Sequence, residues 1–250
     1  MIKYFRRIRQ ILLSEGKLGR YLIYAVGEII LVVIGILIAL QINNWNENKK
    51  LKEQEAEALT EIVSDLSFNI DRFHETLNGK NRPGNISNTL NSLDVIIGHL
   101  KSKLAYQDSL DVHFGVITFS LNVINYKTSG YESLSSVGLD LIQNTKLRSE
   151  IGEYYSSSIV IPKNVSDGLN RDFDNYMLDF IRKDFITNED PNLVVYTLHP
   201  RNYDALREKG EFLESLKAYS GVYETYQMEI NNAIKASNTL KSKIEAYLKG

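Results

Sequence analysis

The chain has 250 residues, a formal net charge of -2 at pH 7 and no cysteine, so disulfides and thiolate metal sites are excluded. The hydrophobic share of 43% is ordinary for a globular protein, and the length suffices for one domain with its own core. Beyond residue 42, acidic residues outnumber basic residues by six, which argues against nucleic acid as a partner.

Residues 1–20 are predicted to form a basic amphipathic foot beside a membrane. They carry six basic residues and one acidic residue. Apolar residues recur at helical spacing here, and the basic positions between them include Lys3, Arg6, Arg7 and Arg9. A helix with one basic and one apolar face lies in the membrane interface and binds anionic lipid. Membrane lipids are therefore an expected partner, the alternative being a disordered basic tail that only sets topology.

Residues 21–42 read YLIYAVGEIILVVIGILIALQI and predict a transmembrane helix. They extend over roughly 33 Å as a helix, against about 30 Å for the hydrocarbon core of a bilayer. Tyr21 and Tyr24 at one end and Trp45 at the other are the expected aromatic interface anchors. The basic foot places the N-terminus in the cytoplasm and the chain beyond residue 42 outside. A buried core helix and a cleaved signal peptide are the alternatives, but no small-x-small cleavage site follows.

Residues 43–78 contain neither proline nor glycine and predict a helix that continues out of the span. Its first part, residues 43–58, is almost wholly polar and is interpreted as a stalk. From Leu59 onward, apolar residues recur every three or four positions and predict a buried face. That face comprises Leu59, Ile62, Leu66, Ile70, Phe73 and Leu77.

Residues 59–250 are predicted to form one helical domain. A second amphipathic helix begins near Ile86, and the last helix, from Phe212 to Tyr247, alternates spacings of four and three over five heptads. Because this last helix is about as long as the first outer one, the two are expected to pack antiparallel. The predicted fold class is all-α, with an interfacial helix and one transmembrane helix that continues into an elongated antiparallel helical bundle.

Three segments of this domain are less regular. Residues 112–124 are β-branched enough for a strand but lie between helical patterns, so both remain open and helix is favoured. Ser129 and Glu132 form a capping box that predicts a helix starting at Ser129. Pro162 is expected to separate two helices, and residues 187–203 predict a loop with a short extended piece. Five tyrosines at helical spacing are interpreted as core positions, the alternative being the lining of a ligand pocket; they are Tyr154, Tyr155, Tyr219, Tyr223 and Tyr226.

Glu28 is the one acidic residue within the predicted span. A carboxylate there is costly unless it is protonated, paired or near the membrane surface. Three interpretations follow: the side chain extends towards Arg20 or Lys17 at the interface, it binds a proton, or it contacts another helix.

Small residues on neighbouring faces of the span suggest self-association. Gly35 and Ala39 form a small-xxx-small pair, and Gly27 lies two turns earlier. Such residues allow close approach of helix backbones. Together with the uncovered polar stalk, they indicate a homo-oligomer or a complex with another inner-membrane protein.

Two strings carry a resemblance to a known family. The first, LSEGKLGRYLIYAVGEIILVVIGILIALQINNWNE, covers residues 13–47, and the second, TSGYESLSSVGLDLIQNTKLRSEIGEYY, covers residues 128–155. They resemble a family of single-span Gram-negative inner-membrane proteins, a domain of unknown function. The resemblance implies a bacterial inner-membrane protein with a helical periplasmic domain and implies no activity. The positions that match the family pattern are Gly27, Glu28, Gln41, Asn44, Trp45, Asn46, Tyr131 and Glu132.

The sequence favours a non-enzymatic function. It contains no nucleotide-binding loop, no nucleophile elbow and no histidine spacing typical of a metal site, so neither a cofactor nor a metal is expected. The leading hypothesis is a membrane-anchored periplasmic scaffold or sensor-like interaction protein. The alternative is a subunit of an ion-driven inner-membrane complex in which Glu28 binds the proton.

Overall fold

The computed structural model describes residues 18–80, 84–118, 124–188 and 197–250, without the side chains of Leu18, Arg20, Tyr21 and Tyr24. Its first helix, α1 (Leu18–Asn78), runs without interruption for 61 residues. The predicted continuous helix over residues 43–78 is therefore confirmed. Residues 1–17 of the predicted foot lie outside the described residues.

Contacts divide the chain into two compact units, Met1–Gln54 and Glu55–Gly250. In the described part of the first unit, the large apolar side chains between Leu22 and Ile42 are exposed. Their best 18-residue window has a mean hydropathy of 2.6 and none of it is buried. Among the described residues, one helix is thus long and apolar enough to cross a membrane.

The polar end of the first unit is a solvated helix. Residues 43–54 are exposed throughout. The amide of Asn43 donates to Glu47 over 3.0 Å, and Lys49 lies 3.9 Å from Glu53. Pairs four residues apart support a helix that has no apolar face to bury.

The second unit is built mostly of helices. After the last part of α1 come α2 (Ile86–Lys101), α3 (Leu110–Thr118), α4 (Ser129–Val137), a 3₁₀ turn (Leu139–Leu141), α5 (Thr145–Glu153), α6 (Val160–Asp172), α7 (Leu178–Asp184), α8 (Tyr203–Arg207) and α9 (Gly210–Lys249). Two π-helical turns, Tyr154–Ser158 and Phe173–Met177, interrupt the run from α5 to α7.

One core holds these helices together. The 40-residue α9 packs against α2, α5 and α6. Its apolar stripe is buried and meets the apolar face of α1, along with side chains of α2 and α3, in a single cluster. The five tyrosines predicted as core positions are all buried, and Tyr223 and Tyr226 are fully so. The predicted last helix and its inward face are confirmed.

The chain is mostly helical, as predicted, but the all-α class omits a small sheet. Strands β1 (Phe185–Asn188) and β2 (Thr197–Pro200) pair antiparallel, with Phe185 opposite Pro200. Strand β2 packs on α3. The segment expected to be a loop with one extended piece thus contributes a paired strand, because β1 supplies the backbone partner that the piece requires.

Local predictions in three places were tested. Residues 112–118 are helical, as favoured, while residues 119–123 lie outside the described part. The predicted helix start at Ser129 is confirmed. The predicted capping box is wrong, because Thr128 is the N-cap and donates its hydroxyl to Glu132 over 2.6 Å. The predicted break at Pro162 is also wrong. This proline is the third residue of α6, and a proline is tolerated in a first turn because its missing N–H has no helical acceptor there.

Candidate functional site

Two polar side chains of α1 hold the start of α4. The Asp65 carboxylate accepts the hydroxyl of Ser129 at 3.0 Å and the backbone N–H of Gly130 at 2.7 Å. One turn further along α1, the Asn69 amide donates to the Lys127 carbonyl at 3.0 Å and accepts the Lys127 N–H at 2.6 Å. Asp65 and Asn69 are both buried, so each takes the place of water for backbone groups that would otherwise lack a partner.

Gly130 brings the two backbones into close contact. A Cβ atom at this position would lie 2.9 Å from the carbonyl carbon of Glu61 and 2.9 Å from the backbone nitrogen of Ile62. These are main-chain atoms of α1, which cannot move aside as a flexible side chain does. Only glycine therefore permits this approach and, with it, the bond between Asp65 and the Gly130 N–H.

Glu55 forms a second junction at the start of the same unit. Its carboxylate accepts the backbone N–H of Gln143 at 2.8 Å and the hydroxyl of Tyr247 at 3.0 Å. The side chain is buried. Burial, followed by the hydrogen bond to Glu55, raises the pKa of Tyr247, so the hydroxyl remains a donor. One carboxylate thus joins α1 to the loop before α5 and to the end of α9.

Aromatic side chains extend the first junction into the core. The rings of Tyr131 and Tyr155 stack with centroids 4.4 Å apart, and the hydroxyl of Tyr154 lies 2.9 Å from that of Ser237 on α9. Burial raises the pKa of Tyr154 and of Tyr155. Through this stacking, Tyr131 packs the α4 segment against the π turn.

A third polar cluster joins the loop before α3 to the sheet. The Tyr106 hydroxyl donates to Asp111, and the Nδ1 atom of His199 lies 2.9 Å from this hydroxyl and 3.2 Å from the other oxygen of Asp111. Burial and the Asp111 hydrogen bond raise the pKa of Tyr106. The rings of Tyr106 and His199 meet edge to face at 5.2 Å. The three groups fix β2 to α3.

The residues predicted for membrane and helix contacts are all in the first unit. A Cβ atom at Gly27 or Gly35 would meet nothing within 4 Å, and Ala39 is exposed. Glu28 is half-buried, and Trp45 is 67% exposed. The side chains of Tyr21 and Tyr24, and the whole of Lys3, Arg6, Arg7 and Arg9, lie outside the described residues.

Sequence reasoning missed Glu55, Asp65 and Asn69. It also placed Ile70 on the buried face of α1, whereas Ile70 is half-buried and the neighbouring Asn69 is fully buried. The heptad spacing in the sequence did contain a signal for two of these residues. From Leu59, strict spacings of four and three reach Glu55 in one direction and Asn69 in the other, so polar residues at heptad core positions mark these two junctions.

Both π turns open grooves against α9. The first turn borders a groove of about 320 Å³ that includes Glu150 and Lys243, which pair at 2.8 Å. The second borders a groove of about 280 Å³ that includes Tyr176 and Met177. A π turn inserts one residue and shifts the side chains that follow out of α-helical register, and such turns are frequent at functional sites.

Among the described residues, no group of three or more His, Asp or Glu side chains is placed to hold a metal ion. The carboxylates of the two α1 junctions are occupied by hydroxyl and backbone N–H donors. These junctions hold a helix and a loop against α1.

Comparison with known protein families gives a match over the first part of the chain. The profile described as "Family of unknown function (DUF6090)" matches residues 28–161. These residues comprise most of α1 and everything up to the start of α6, so they contain all the α1 side chains of both junctions and the complete α4 segment that Asp65 and Asn69 hold. No curated protein and no solved structure matches the chain.

Proposed function

The chain belongs to this family of unknown function, and we propose that it is a non-enzymatic, membrane-anchored scaffold or sensor-like interaction protein. Residues 21–42 form the single transmembrane anchor in the inner membrane of a bacterium. The N-terminal foot lies in the cytoplasm on anionic lipid, and the helical unit lies in the periplasm.

The continuity of α1 carries this proposal. One helix contains the apolar exposed stretch of the first unit and, from Glu55 onward, a face of the core of the second. A ligand or partner that alters the packing of residues 55–78 acts on the same helix that forms the anchor. The two buried junctions support this role because they tie α1 to distant segments of the chain, 58 to 192 residues away.

The elongated antiparallel arrangement of α1 and α9 is part of the proposal. It is supported by the hydrogen bond from Tyr247, near the C-terminus, to Glu55. It is also supported by the heptad spacing on both helices.

Single cysteines test the topology directly, because the natural chain has none. Val137 is 71% exposed, and Val137→Cys is expected to react with a membrane-impermeant maleimide once the outer membrane is permeabilised. Ser14→Cys, in the foot, is expected to react only after the inner membrane is lysed. The reverse pattern would contradict the orientation, and labelling of both in intact inner membranes would contradict the anchor.

Self-association is tested by oxidative cross-linking in native membranes. Gly35→Cys is expected to give a disulfide-linked dimer, because small residues mark the face on which helices approach. Val33→Cys is the matched control, since it lies about 160° around the helix from Gly35. Equal yields from the two variants would contradict a specific helix contact. Co-purification after chemical cross-linking then distinguishes a second copy from another inner-membrane protein.

The second candidate function is a subunit of an ion-driven complex with Glu28 as the proton-binding group. The observation that favours it is the position of Glu28 as the one acidic residue among the apolar residues 22–42. Glu28→Gln is expected to abolish proton flux in this case, while Glu28→Asp retains part of it. Unchanged flux and phenotype in Glu28→Gln would eliminate this candidate and leave the scaffold proposal standing.

A further inference from the structure

The groove beside the second π turn combines apolar walls with carboxylates. We call it the Tyr176 groove. It lies between the Phe173–Met177 turn and the first half of α9 and has a volume of about 280 Å³, just below the range of about 300–1,000 Å³ that is typical of small-molecule sites. Its lining includes Asp172, Tyr176, Met177, Glu214, Ala218 and Tyr219.

The walls of the groove are preformed. Met177 is 2% exposed and Tyr219 is 3% exposed, so both are fixed in the core and present only one side to the groove. Tyr219 is held further by an edge-to-face contact with Tyr223, with centroids 5.1 Å apart. Such walls require little ordering when a ligand enters, which favours binding.

Tyr176 is the exception to this burial, because its side chain is 60% exposed. It lies inside the π turn, where the inserted residue shifts side chains out of α-helical register. An exposed aromatic ring beside a preformed apolar surface leaves one ring face available to a ligand. The negative face of such a ring attracts cations.

The charges on the groove have one sign. Among the described residues that line it, Asp172 and Glu214 carry charge and none is basic. Glu214 is paired with Lys217 at 2.5 Å. Asp172, at the end of α6, makes no ion pair or side-chain hydrogen bond among the described residues. An uncompensated carboxylate beside an aromatic ring selects for positive charge on a ligand with an apolar body.

We propose that the Tyr176 groove binds a small organic cation, of the quaternary ammonium or protonated amine class. Tyr176 contacts the cation through its ring face, Asp172 supplies the opposite charge, and Met177 and Tyr219 contact the apolar body. The site is independent of the proposed membrane attachment, because every residue of it lies in the unit Glu55–Gly250.

The three methionines of the chain allow a direct test on the full-length protein in a maltoside detergent. With ¹³C-methyl methionine labelling, Met177 reports on the groove, and Met228, 52% exposed on α9, serves as an internal reference. Choline is the probe. Its uncharged isostere 3,3-dimethyl-1-butanol has the same shape without the charge. Met177→Leu assigns the resonance.

Choline is expected to shift the Met177 resonance saturably and to leave Met228 unchanged, with the uncharged isostere at least about fivefold weaker. Tyr176→Leu and Asp172→Asn are each expected to weaken choline binding by about five- to thirtyfold. Tyr176→Phe, which keeps the ring, and Asp174→Asn, a charge change at an exposed residue outside the groove lining, are expected to bind as the natural protein does.

Equal affinity for choline and its isostere would overturn the proposal in favour of a neutral apolar ligand. Parallel shifts of Met177 and Met228 would show non-specific association, and the absence of any shift up to about 50 mM choline would exclude a cation site of useful affinity. Tyr176 is exposed and Asp172 is half-buried at the last position of α6, so the variants are expected to keep the far-UV circular dichroism of the natural chain.

Discussion

Replacing Gly130 with alanine tests the close contact between α4 and α1. The added Cβ would lie 2.9 Å from two backbone atoms of α1, closer than real Cβ contacts allow, so α4 must move. This movement lengthens the 2.7 Å bond between the Gly130 N–H and Asp65. Overpacking of a tight site costs about 1–3 kcal/mol, and a weakened hydrogen bond to a buried carboxylate adds about 1 kcal/mol.

The expected loss for Gly130→Ala is therefore about 2–4 kcal/mol of unfolding free energy. For a unit of this size, each kcal/mol lowers the melting temperature by about 2–4 °C. Gly152→Ala is the matched control: it lies inside helix α5, and its Cβ would meet nothing within 4 Å. The control is expected to raise stability by about 0.5–1 kcal/mol through helix propensity.

The stability of both variants is measured by urea and thermal unfolding of the full chain in detergent. Unfolding is monitored by near-UV circular dichroism, to which the fifteen tyrosines contribute. This signal reports tertiary packing around Tyr131 and Tyr155 and is insensitive to helix that persists in the detergent-bound segment. A melting temperature for Gly130→Ala within about 1 °C of that for Gly152→Ala would refute the reasoning that the contact is backbone to backbone.

Three further predictions concern the same unit. Asn69→Ala leaves both backbone groups of Lys127 without their partner and is expected to cost about 2–4 kcal/mol in urea unfolding; a loss below 1 kcal/mol would contradict the junction. Tyr247→Phe removes one hydrogen bond to Glu55 and is expected to cost about 1–2 kcal/mol by the same assay. Burial lowers the pKa of His113, so the folded state disfavours the protonated imidazole and the stability of the unit falls as the pH drops below about 6.5. His113→Gln is expected to reduce the difference between the urea midpoints measured at about pH 7.5 and at about pH 5. An unchanged difference would show that His113 is not its origin.

Most of the helical elements were predictable from sequence, because helices are local structures. The absence of proline and glycine over residues 43–78 predicted that part of α1, and the heptad spacing predicted α9 and its buried tyrosines. The candidate site was less predictable. Glu55 and Asn69 occupy core positions of the heptad, but their roles depend on partners 88 and 58 residues away.

The two failed local predictions have different origins. Serine is a residue type that is favoured at the N-cap, yet the Ser129 hydroxyl donates to Asp65, 64 residues earlier in the chain, and Thr128 is the N-cap instead. For Ser129, a tertiary contact outweighed a capping preference of about 1 kcal/mol. The predicted break at Pro162 failed for a local reason, because a proline in the first turn of a helix loses no helical hydrogen bond.

The sequence by itself determined the apolar stretch, the helical periods and the absence of cysteine, since hydropathy, periodicity and composition are sums over neighbouring residues. Only the tertiary structure decided that Asp65, Asn69 and Glu55 hold distant backbone segments and that the Tyr176 groove opens beside a π turn. The physical reason is that a buried polar group requires a partner in space, and the fold alone brings that partner within hydrogen-bonding distance.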